Sequence, residues 1–565
     1  MSFRKALLLA AGRGSRLGAA VEAVPKPMLR VRGKPVLERH VEQLAAAGVK
    51  QIWINLHHRG EVIRDYFGDG ERWGARLRYS SEEILLGTAG ALKRLADDFA
   101  GGDFFVVYGD NLAAVDYAAI ARAHEPGTVL TMALCHKPEV GSSGIADLGP
   151  DGRIRRFVEK PAPDQQFSRW VNAGVYAASP DLLGWLPDGV SDFGRDVIPR
   201  LLEAGRIVRG VVLPQTAVEG IDTPEMLAQA DVLGVAVIGA GGMGARRAAV
   251  ARRRPGARLL WVVDKDPERA RAAAGPEAEA GSEWSAAIQD PRVDCVVVST
   301  SNDQLAGMAG AALDAGKHVL VEKPAARSSA ELAPLVEMAG KKRVVFQAGF
   351  NYRFHAAARR ARELLLQGEV GRLLHLVGRH GHGGRLGLER EWRADPAAAG
   401  GGELLDQGVH LIDLFRWFAG EDLAAAQAVV ATEFWPIQPL EDAAFCLFQT
   451  TSGVPCLLQV SLMEWKNRFQ LEVVCERGAL AMEGLGGSYG PERLTVIRRP
   501  EQFGVPQVET IEFDCPDQCW TDEWDEFVEL VRQGRSPGNG ADSLAALRAV
   551  EACYRSSREG RRATC

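Results

Sequence analysis

Two sets of residues in this sequence have types and spacings that could do chemistry. In the first, Gly12 and Gly14 bracket a short loop that leads to Arg16, and Lys26 follows between Pro25 and Pro27. Glycines let backbone N–H groups approach phosphate oxygens closely, while a guanidinium fork and a cation on a stiffened segment add fixed positive charge. Asp110 and Asp222 each lie just past a strand-like run. Two such carboxylates could jointly hold Mg²⁺, which prefers carboxylates plus substrate phosphates. Together the set suits in-line attack on a phosphoryl group, where catalysis is positioning and charge stabilisation. Taken singly, a Gly-rich loop is an ordinary turn, and an Asp after a strand is most often a helix cap.

In the second set, the apolar run 235–238 opens into Gly239-Ala-Gly241-Gly-Met-Gly244. A strand feeding G-x-G-x-x-G at a helix start is the dinucleotide-binding fingerprint. Asp264 ends the next strand-like run, where an acidic residue can accept from the ribose 2′-OH of NAD. The neighbouring Lys265 leaves NADP as the lesser alternative. Lys323, at the carboxyl end of the run 318–321, can hydrogen-bond a reacting hydroxyl or relay its proton; a surface Lys paired to Glu322 is the plain alternative. Asp406 and His410 are four apart in a helical pattern, so both are expected on one face. A His titrating near neutrality suits proton abstraction from an alcohol, with the Asp orienting it or binding substrate; an exposed ion pair is the structural alternative. The glycines 400–402 just before them suggest a close backbone approach.

The elements that must position these residues fall into two alternating series. Residues 5–11, 51–56 and 104–108 read as strands, with a helix opened by Pro35 and closed by Gly48 between the first two. Alternating strands and helices imply a mostly parallel sheet, with ligands beyond the carboxyl ends of its strands. The Gly12–Gly14 loop and Asp110 are expected there. The second series reads as strands 258–263, 293–299 and 318–321, then a strand-rich part with 373–380, 425–434, 443–449 and 455–462, closed by helices 521–532 and 542–555. Alternation in those later strands fits an antiparallel sheet with one face under helices and one facing another subunit. His380 and His382 could share a strand face, but no third metal ligand lies near in sequence, and Trp465-Lys466-Asn467 reads as sugar contact or core packing.

The ordered motifs, more than any single one, carry two family resemblances. The first part resembles the sugar-1-phosphate nucleotidyltransferases, through LAAGRGSRL, Pro25-Lys26-Pro27, Gly87-Thr88-Ala89-Gly90, Tyr108-Gly109-Asp110, Val158-Glu159-Lys160-Pro161, Asn172-Ala173-Gly174 and Ile221-Asp222-Thr223-Pro224. The resemblance implies that Arg16 and Lys26 grip the triphosphate and promote pyrophosphate departure, with Asp110 and Asp222 on Mg²⁺. It places Gly12, Gly14, Gly87 and Thr88 along the nucleotide, and Glu159, Lys160 and Asn172 on the sugar phosphate. Ser15 stands where Thr is usual, and Ala19-Ala20-Val21 where Pro-Leu-Thr is common. Residues 54–90 look most like branches that handle heptose, mannose or N-acetylmuramate 1-phosphates with GTP or UTP, which leaves the base open.

The second part resembles the Gfo/Idh/MocA oxidoreductases, through 237–244, Gly316-Lys-His-Val-Leu-Val-Glu-Lys-Pro324, Gly349-Phe-Asn-Tyr-Arg-Phe354 and the Asp406/His410 segment. That resemblance implies a Rossmann domain and a C-terminal α/β domain with an open, mostly antiparallel sheet that serves dimerisation. It gives Lys323, Asp406 and His410 catalytic roles and puts Gly239, Gly241, Gly244, Asp264 and Glu322 at the cofactor. Leu305 stands where a His is common.

The expected organisation is thus a nucleotidyltransferase domain over 1–232, an NAD(P)-binding Rossmann domain over 233–350 and a substrate and dimerisation domain over 351–565. A length of 565 residues exceeds a single core, and 46% hydrophobic with 25% charged residues is ordinary for globular protein. A net charge of −6 gives no reason to expect nucleic acid or a membrane as partner, and no run approaches a membrane span. Nine scattered cysteines without a C-x-x-C pair, Cys515 and Cys519 being the nearest, fit reduced thiols and a cytoplasmic location. The functional expectation is a bifunctional enzyme. One site joins a nucleoside triphosphate to a sugar 1-phosphate with Mg²⁺. The other oxidises or reduces a hydroxyl of a sugar or nucleotide-sugar with NAD, in a homo-oligomer. Two rivals remain: an oxidoreductase half that only binds NAD or dimerises, and a dehydrogenase whose front half binds nucleotide as a regulator.

Overall fold

The structure, a computed structural model, describes residues 3–12, 14–113, 115–214, 218–500, 502, 504–514, 518–534 and 537–565; the side chains of Ser15, Ala19 and Val218 are also outside that description. The expectations attached to Ser15, Ala19 and Cys515 therefore lie outside the described residues. The chain divides into two compact units, Met1–Asp231 and Val232–Cys565.

In the first unit, strand Lys5–Leu9 is the buried centre of a nine-stranded sheet. Gln51–Leu56 and Phe104–Tyr108 flank it in parallel, and Arg76–Ser81 extends the parallel side. The expectation of a mostly parallel sheet holds throughout this side, and beyond it only where Ile207–Val212 pairs in parallel with Thr128–His136. Trp170–Ala178 runs antiparallel to both Phe104–Tyr108 and Thr128–His136, and Ile145–Leu148 pairs antiparallel with Ile154–Val158. Parallel neighbours need a long crossover, whereas short turns permit antiparallel return. No α-helix interrupts residues 128–178, so these strands can only fold back on one another. Apolar residues of the two sheet faces form separate cores, one with Leu8, Val41 and Ile54, the other with Leu7, Leu92 and Phe104.

The second unit opens with a six-stranded parallel sheet, in the order Glu279–Gly281, Ala257–Val263, Leu233–Ile238, Cys295–Val298, His318–Val321, Phe346–Ala348. Leu233–Ile238 is buried throughout, as a strand covered on both faces must be. A nine-stranded sheet follows, antiparallel except where Leu373–Gly381 pairs with Pro455–Ser461. Alternation sets its faces: Arg468–Cys475 buries every second residue, Phe469, Leu471 and Val473 against the helical side. On the other face Val429, Phe445, Leu447 and Leu457 are exposed.

The part after residue 350 is not a closed body. Helix Gln518–Gln533 returns to the parallel sheet, and Trp524, Phe527, Val528 and Val531 pack with Val235, Val237 and Leu259. Seven of the eight described cysteines are buried, and none is in a disulfide. Among the described residues no helix is long and apolar enough to cross a membrane.

Candidate functional sites

In the first unit, four residues far apart in sequence meet beyond the strand ends. Asp110 follows Phe104–Tyr108, and Asp222 immediately precedes Thr223, whose hydroxyl caps helix Pro224–Ala230. Lys26 Nζ donates to Asp110 Oδ2 at 2.9 Å and to Asp222 Oδ1 at 2.7 Å, and Arg16 reaches Asp222 at 3.1 Å. Lys26 is only 3% exposed. Burial alone would lower its pKa, but the two carboxylates outweigh that and raise it. Burial likewise opposes ionisation of Asp222, and the cations Lys26 and Arg16 overcome it. Gly14, at φ +62°, faces this lysine: a Cβ there would lie 2.9 Å from Lys26 Cβ. The glycine thus allows the loop to close onto the cation, while Gly12 opens toward free space. Two carboxylate oxygens converging on one cationic point are a donor set that fits Mg²⁺.

The remaining residues expected around the nucleotide and sugar are held by partners the sequence did not reveal. Thr88 N–H and Oγ both donate to Asp192 Oδ1, at 3.2 and 3.1 Å, and Thr88 Oγ accepts from Phe193 N–H. Gly87 sits at the start of the same helix, Gly87–Arg94. Asn172 lies at a register break in strand Trp170–Ala178; its Nδ2 donates to Tyr176 OH, and its Oδ1 accepts from Gly174 N–H. At φ +72° and with a Cβ position 2.8 Å from the Tyr108 ring, residue 174 must be glycine for that break to form. Burial raises the Glu159 pKa against the pull of Lys160 and Arg195. Lys160 itself is exposed, in the left-handed region at φ +49°.

In the second unit, the fingerprint turn is tight. Gly239 has φ +93°, and a Cβ on Gly244 would lie 1.8 Å from the Gly239 carbonyl oxygen. Gly241, by contrast, has open space before it, at the N-terminus of helix Gly242–Arg253, where a pyrophosphate fits. Asp264 Oδ2 accepts from Ala240 N–H at 2.6 Å, so the carboxylate braces the turn from the end of the neighbouring strand. Glu322 does not join Lys323. It accepts from Arg247 Nε at 2.8 Å within a buried group that includes Glu523.

Lys323 pairs with Asp406: Nζ lies 2.6 Å from Oδ1 and 2.5 Å from the Asp406 carbonyl oxygen. Asp406 is not on a regular α-helix but in a π-type turn, Leu404–Gly408, that feeds helix Val409–Ala419. Burial opposes its ionisation, yet Lys323 and Arg393 hold it well below the usual carboxylate range. His410 is 4% exposed, which removes the exposed-ion-pair alternative. Its ring stacks on Tyr352 at 4.0 Å and 9°, and burial, reinforced by the Lys323 charge, drives its pKa far down. Burial thus favours the neutral imidazole and moves it away from the near-neutral titration that the sequence suggests. A cavity of about 160 Å³ beside this group is lined by His382, Trp392, Arg393, Glu403, Asp406 and Gln407, among others.

Three family profiles match these units. The nucleotidyl transferase profile matches residues 5–216. The oxidoreductase family NAD-binding Rossmann fold matches 233–350, and the GFO/IDH/MocA C-terminal domain matches 358–481. The chain joins a nucleotidyl transferase domain to a GFO/IDH/MocA oxidoreductase.

Over the transferase domain the chain is similar to a UTP–glucose-1-phosphate uridylyltransferase of Synechocystis, 35% identical over 216 residues, which are 36% of this chain and 56% of that protein. It is also similar to a mannose-1-phosphate guanylyltransferase of Mycobacterium tuberculosis, 30% identical over 35% of this chain and 56% of that one. The chain thus spans little more than half the length of these relatives. Over the oxidoreductase half, levoglucosan dehydrogenase in complex with NADH and levoglucosan shares the fold, at 23% identity and a TM-score of 0.53, over 59% of this chain and 99% of that one. An aldose-aldose oxidoreductase from Caulobacter crescentus, complexed with glycerol, aligns at 27% identity and a TM-score of 0.52 over 59% and 99%.

Several sequence expectations resolve differently in the oxidoreductase half. The glycines before Asp406 do allow a close approach, but to protein: Cβ atoms would meet Tyr554 OH at Gly401 and the Glu441 carbonyl oxygen at Gly402. Among the described residues no group of three or more His, Cys, Asp or Glu side chains could hold a metal, so His380 and His382 form no such centre. Trp465 is fully exposed, which removes the core-packing reading. Leu305 is buried within the Rossmann core. Tyr352, Glu403 and Asp192 carry no sequence signal for a place in these sites. Each is identified by its contacts, which sequence spacing does not display.

Proposed function

We propose that the chain is a two-enzyme protein of sugar nucleotide metabolism, with residues 1–232 and 233–565 as its working parts. The transferase site joins a nucleoside triphosphate, UTP or GTP, to a sugar 1-phosphate and releases pyrophosphate. The observation that carries this reading is the convergence of Arg16, Lys26, Asp110 and Asp222 on one point. Mg²⁺ held by Asp110 and Asp222 would neutralise phosphate charge. The sugar phosphate oxygen attacks the α-phosphorus, and the bond to the β,γ-pyrophosphate breaks. Arg16 and Lys26 stabilise the charge that grows on the departing pyrophosphate, and Gly12 and Gly14 bring backbone N–H groups to the triphosphate. The test is a matrix of nucleoside triphosphates against sugar 1-phosphates read by pyrophosphate release; release with none of them sinks the assignment.

The oxidoreductase site transfers hydride between a sugar carbinol carbon and a nicotinamide. NAD, seated on Gly239, Gly241 and Gly244 with Asp264 and Glu322 in its surround, would supply the hydride acceptor. Lys323, oriented by Asp406, hydrogen-bonds the reacting hydroxyl, and neutral His410 takes its proton as the C–H hydride leaves. A second copy of the chain would cover the apolar sheet face with Val429, Phe445, Leu447 and Leu457, since monomers rarely expose such a contiguous patch. Light scattering of the full chain tests that homo-oligomer, and a monomer at micromolar concentration would reject it.

A further inference from the structure

Glu403 is a charged residue type at 2% exposure whose Oε1 has no hydrogen-bond partner. An unpaired buried polar oxygen costs free energy unless something pairs with it. Two imidazoles face it at distances too long for a hydrogen bond: His382 Nε2 at 3.8 Å and His380 Nδ1 at 4.0 Å. A single oxygen about 2.8 Å from each atom would bridge such gaps. The tautomer of His382 is fixed locally, because its Nδ1 accepts from Gly384 N–H at 3.1 Å. Its Nε2 therefore carries the proton and points a donor toward Glu403. His380 is neutral, held down to about 3 by burial and then by its charged neighbours, while its Nε2 is engaged with Tyr352 OH at 3.1 Å. Burial and the adjacent Asp406 charge push the Glu403 carboxyl well up, toward its protonated form, which can donate as well as accept.

Glu403 and His382 line the same cavity as Asp406, and Glu403 is three residues from it on one turn. We propose that Glu403 and His382 seat a second substrate hydroxyl beside the one that reacts at Lys323, so that the oxidoreductase half takes a sugar whose neighbouring hydroxyl is free and uncharged. The inference rests on the oxidoreductase reading above. A donor and a donor–acceptor facing one point match a hydroxyl, which does both. Among the described residues lining the cavity, the cations are already paired, Arg385 with Glu391 at 2.6 Å and Arg393 with Asp406 and Glu391, which disfavours an anionic substituent.

The test uses the full chain with NAD⁺ and a panel of D-glucose, D-mannose and D-galactose, each with its monodeoxy, phosphorylated and nucleoside-diphosphate-linked counterparts. If no sugar is oxidised, the oxidoreductase reading itself fails and takes this inference with it. For a sugar that is oxidised, the wild type is expected to prefer the parent over the analogue lacking the adjacent hydroxyl by about tenfold or more in kcat/KM. E403L and H382A should each lose most of that preference, by a raised KM for the parent and little change for the deoxy analogue, whereas E403Q, which keeps a donor and an acceptor at this point, should retain it. Equal losses on both sugars would show a merely structural role, and unchanged preference in both E403L and H382A would also overturn the proposal. Because Glu403 Oε1 carries no hydrogen bond that Leu would break, and His382 is partly exposed, at least one variant is expected to fold.

Discussion

Lys26 Nζ lies 2.7 Å from Asp222 Oδ1, a contact that ties the beginning of the transferase domain to a residue 196 positions later. The same ammonium reaches Asp110, so one cation stands between two carboxylates at the ends of different elements. Asp222 belongs to the segment that closes the transferase domain: Arg32 N–H donates to Asp231, and Arg32 Nε to the Ala230 carbonyl. The site is therefore complete only when the chain has returned from helix Pro224–Ala230 to its first loop.

Asp110→Asn should depress pyrophosphate release by orders of magnitude, since it removes one of the two carboxylates from the shared cationic point. NAD-linked turnover should be unaffected, because every residue of that site lies beyond Val232. Parallel assays of both activities on the folded variant, with Mg²⁺ present, check this; full transferase activity would refute the role of Asp110.

Lys323→Ala and His410→Ala should each lower sugar turnover by about 10²–10⁴ while cofactor affinity barely changes. Neither side chain belongs to the fingerprint turn at Gly239–Gly244, so fluorescence titration with NADH separates binding from catalysis. Unaltered turnover in both variants would remove both residues from the mechanism.

The positions of these residues are legible in the sequence because each ends a strand or sits in a motif whose neighbours fix its place. What could not be read is partnership. Asp406 was expected to face His410 along a helix, yet the π-type turn gives it Lys323 instead, and His410 stacks on Tyr352. Periodicity locates an element but not the wide turn inside it. The antiparallel pairs of the first sheet are not legible in the sequence because buried strands look alike whichever way they run. Glu403 was invisible for a related reason: a carboxylate in sequence is read as surface, and only packing shows it buried beside two histidines.

NAD should bind more tightly than NADP by at least tenfold, because Asp264 would repel a 2′-phosphate. Its second oxygen accepts from Asp266 N–H at 2.8 Å, and Ala240 N–H holds the first, so the carboxylate is fixed in place. Calorimetry on the full chain measures both affinities; equality or reversal would give Lys265 control of the pocket.

Thermal stability of the oxidoreductase half should fall on the alkaline side. Burial alone would lower the His355 pKa, but Cys519 and Glu492, the latter 3.0 Å away, raise it to about 9. A raised folded pKa means stability that is fully present below the unfolded value near 6.5 and is lost as pH rises through about 9. His355→Gln should flatten that decline in the unfolding midpoint between pH 6.5 and 9. A wild-type midpoint constant over this window would contradict the pairing.

Cutting the chain between Val232 and Leu233 should give two soluble pieces that keep their separate activities. The residues on either side of the cut already belong to different cores. Asp231 is bound by Arg32 in the transferase domain, whereas Leu233 N–H donates to the Gly256 carbonyl and its side chain packs with Val235 and Leu259. Each piece would hold its own sheet, its own apolar core and its own set of reacting side chains, which is what an independently folding domain requires. The Arg16, Lys26, Asp110 and Asp222 group is complete within Met1–Asp231, and the Lys323, Asp406 and His410 group within Val232–Cys565. Residues 1–232 and 233–565 would be expressed apart and assayed for pyrophosphate release and for NAD reduction. A piece that is folded but inactive until the other is added would mean that the two activities depend on a shared interface, and that two self-sufficient enzymes are the wrong description of this chain.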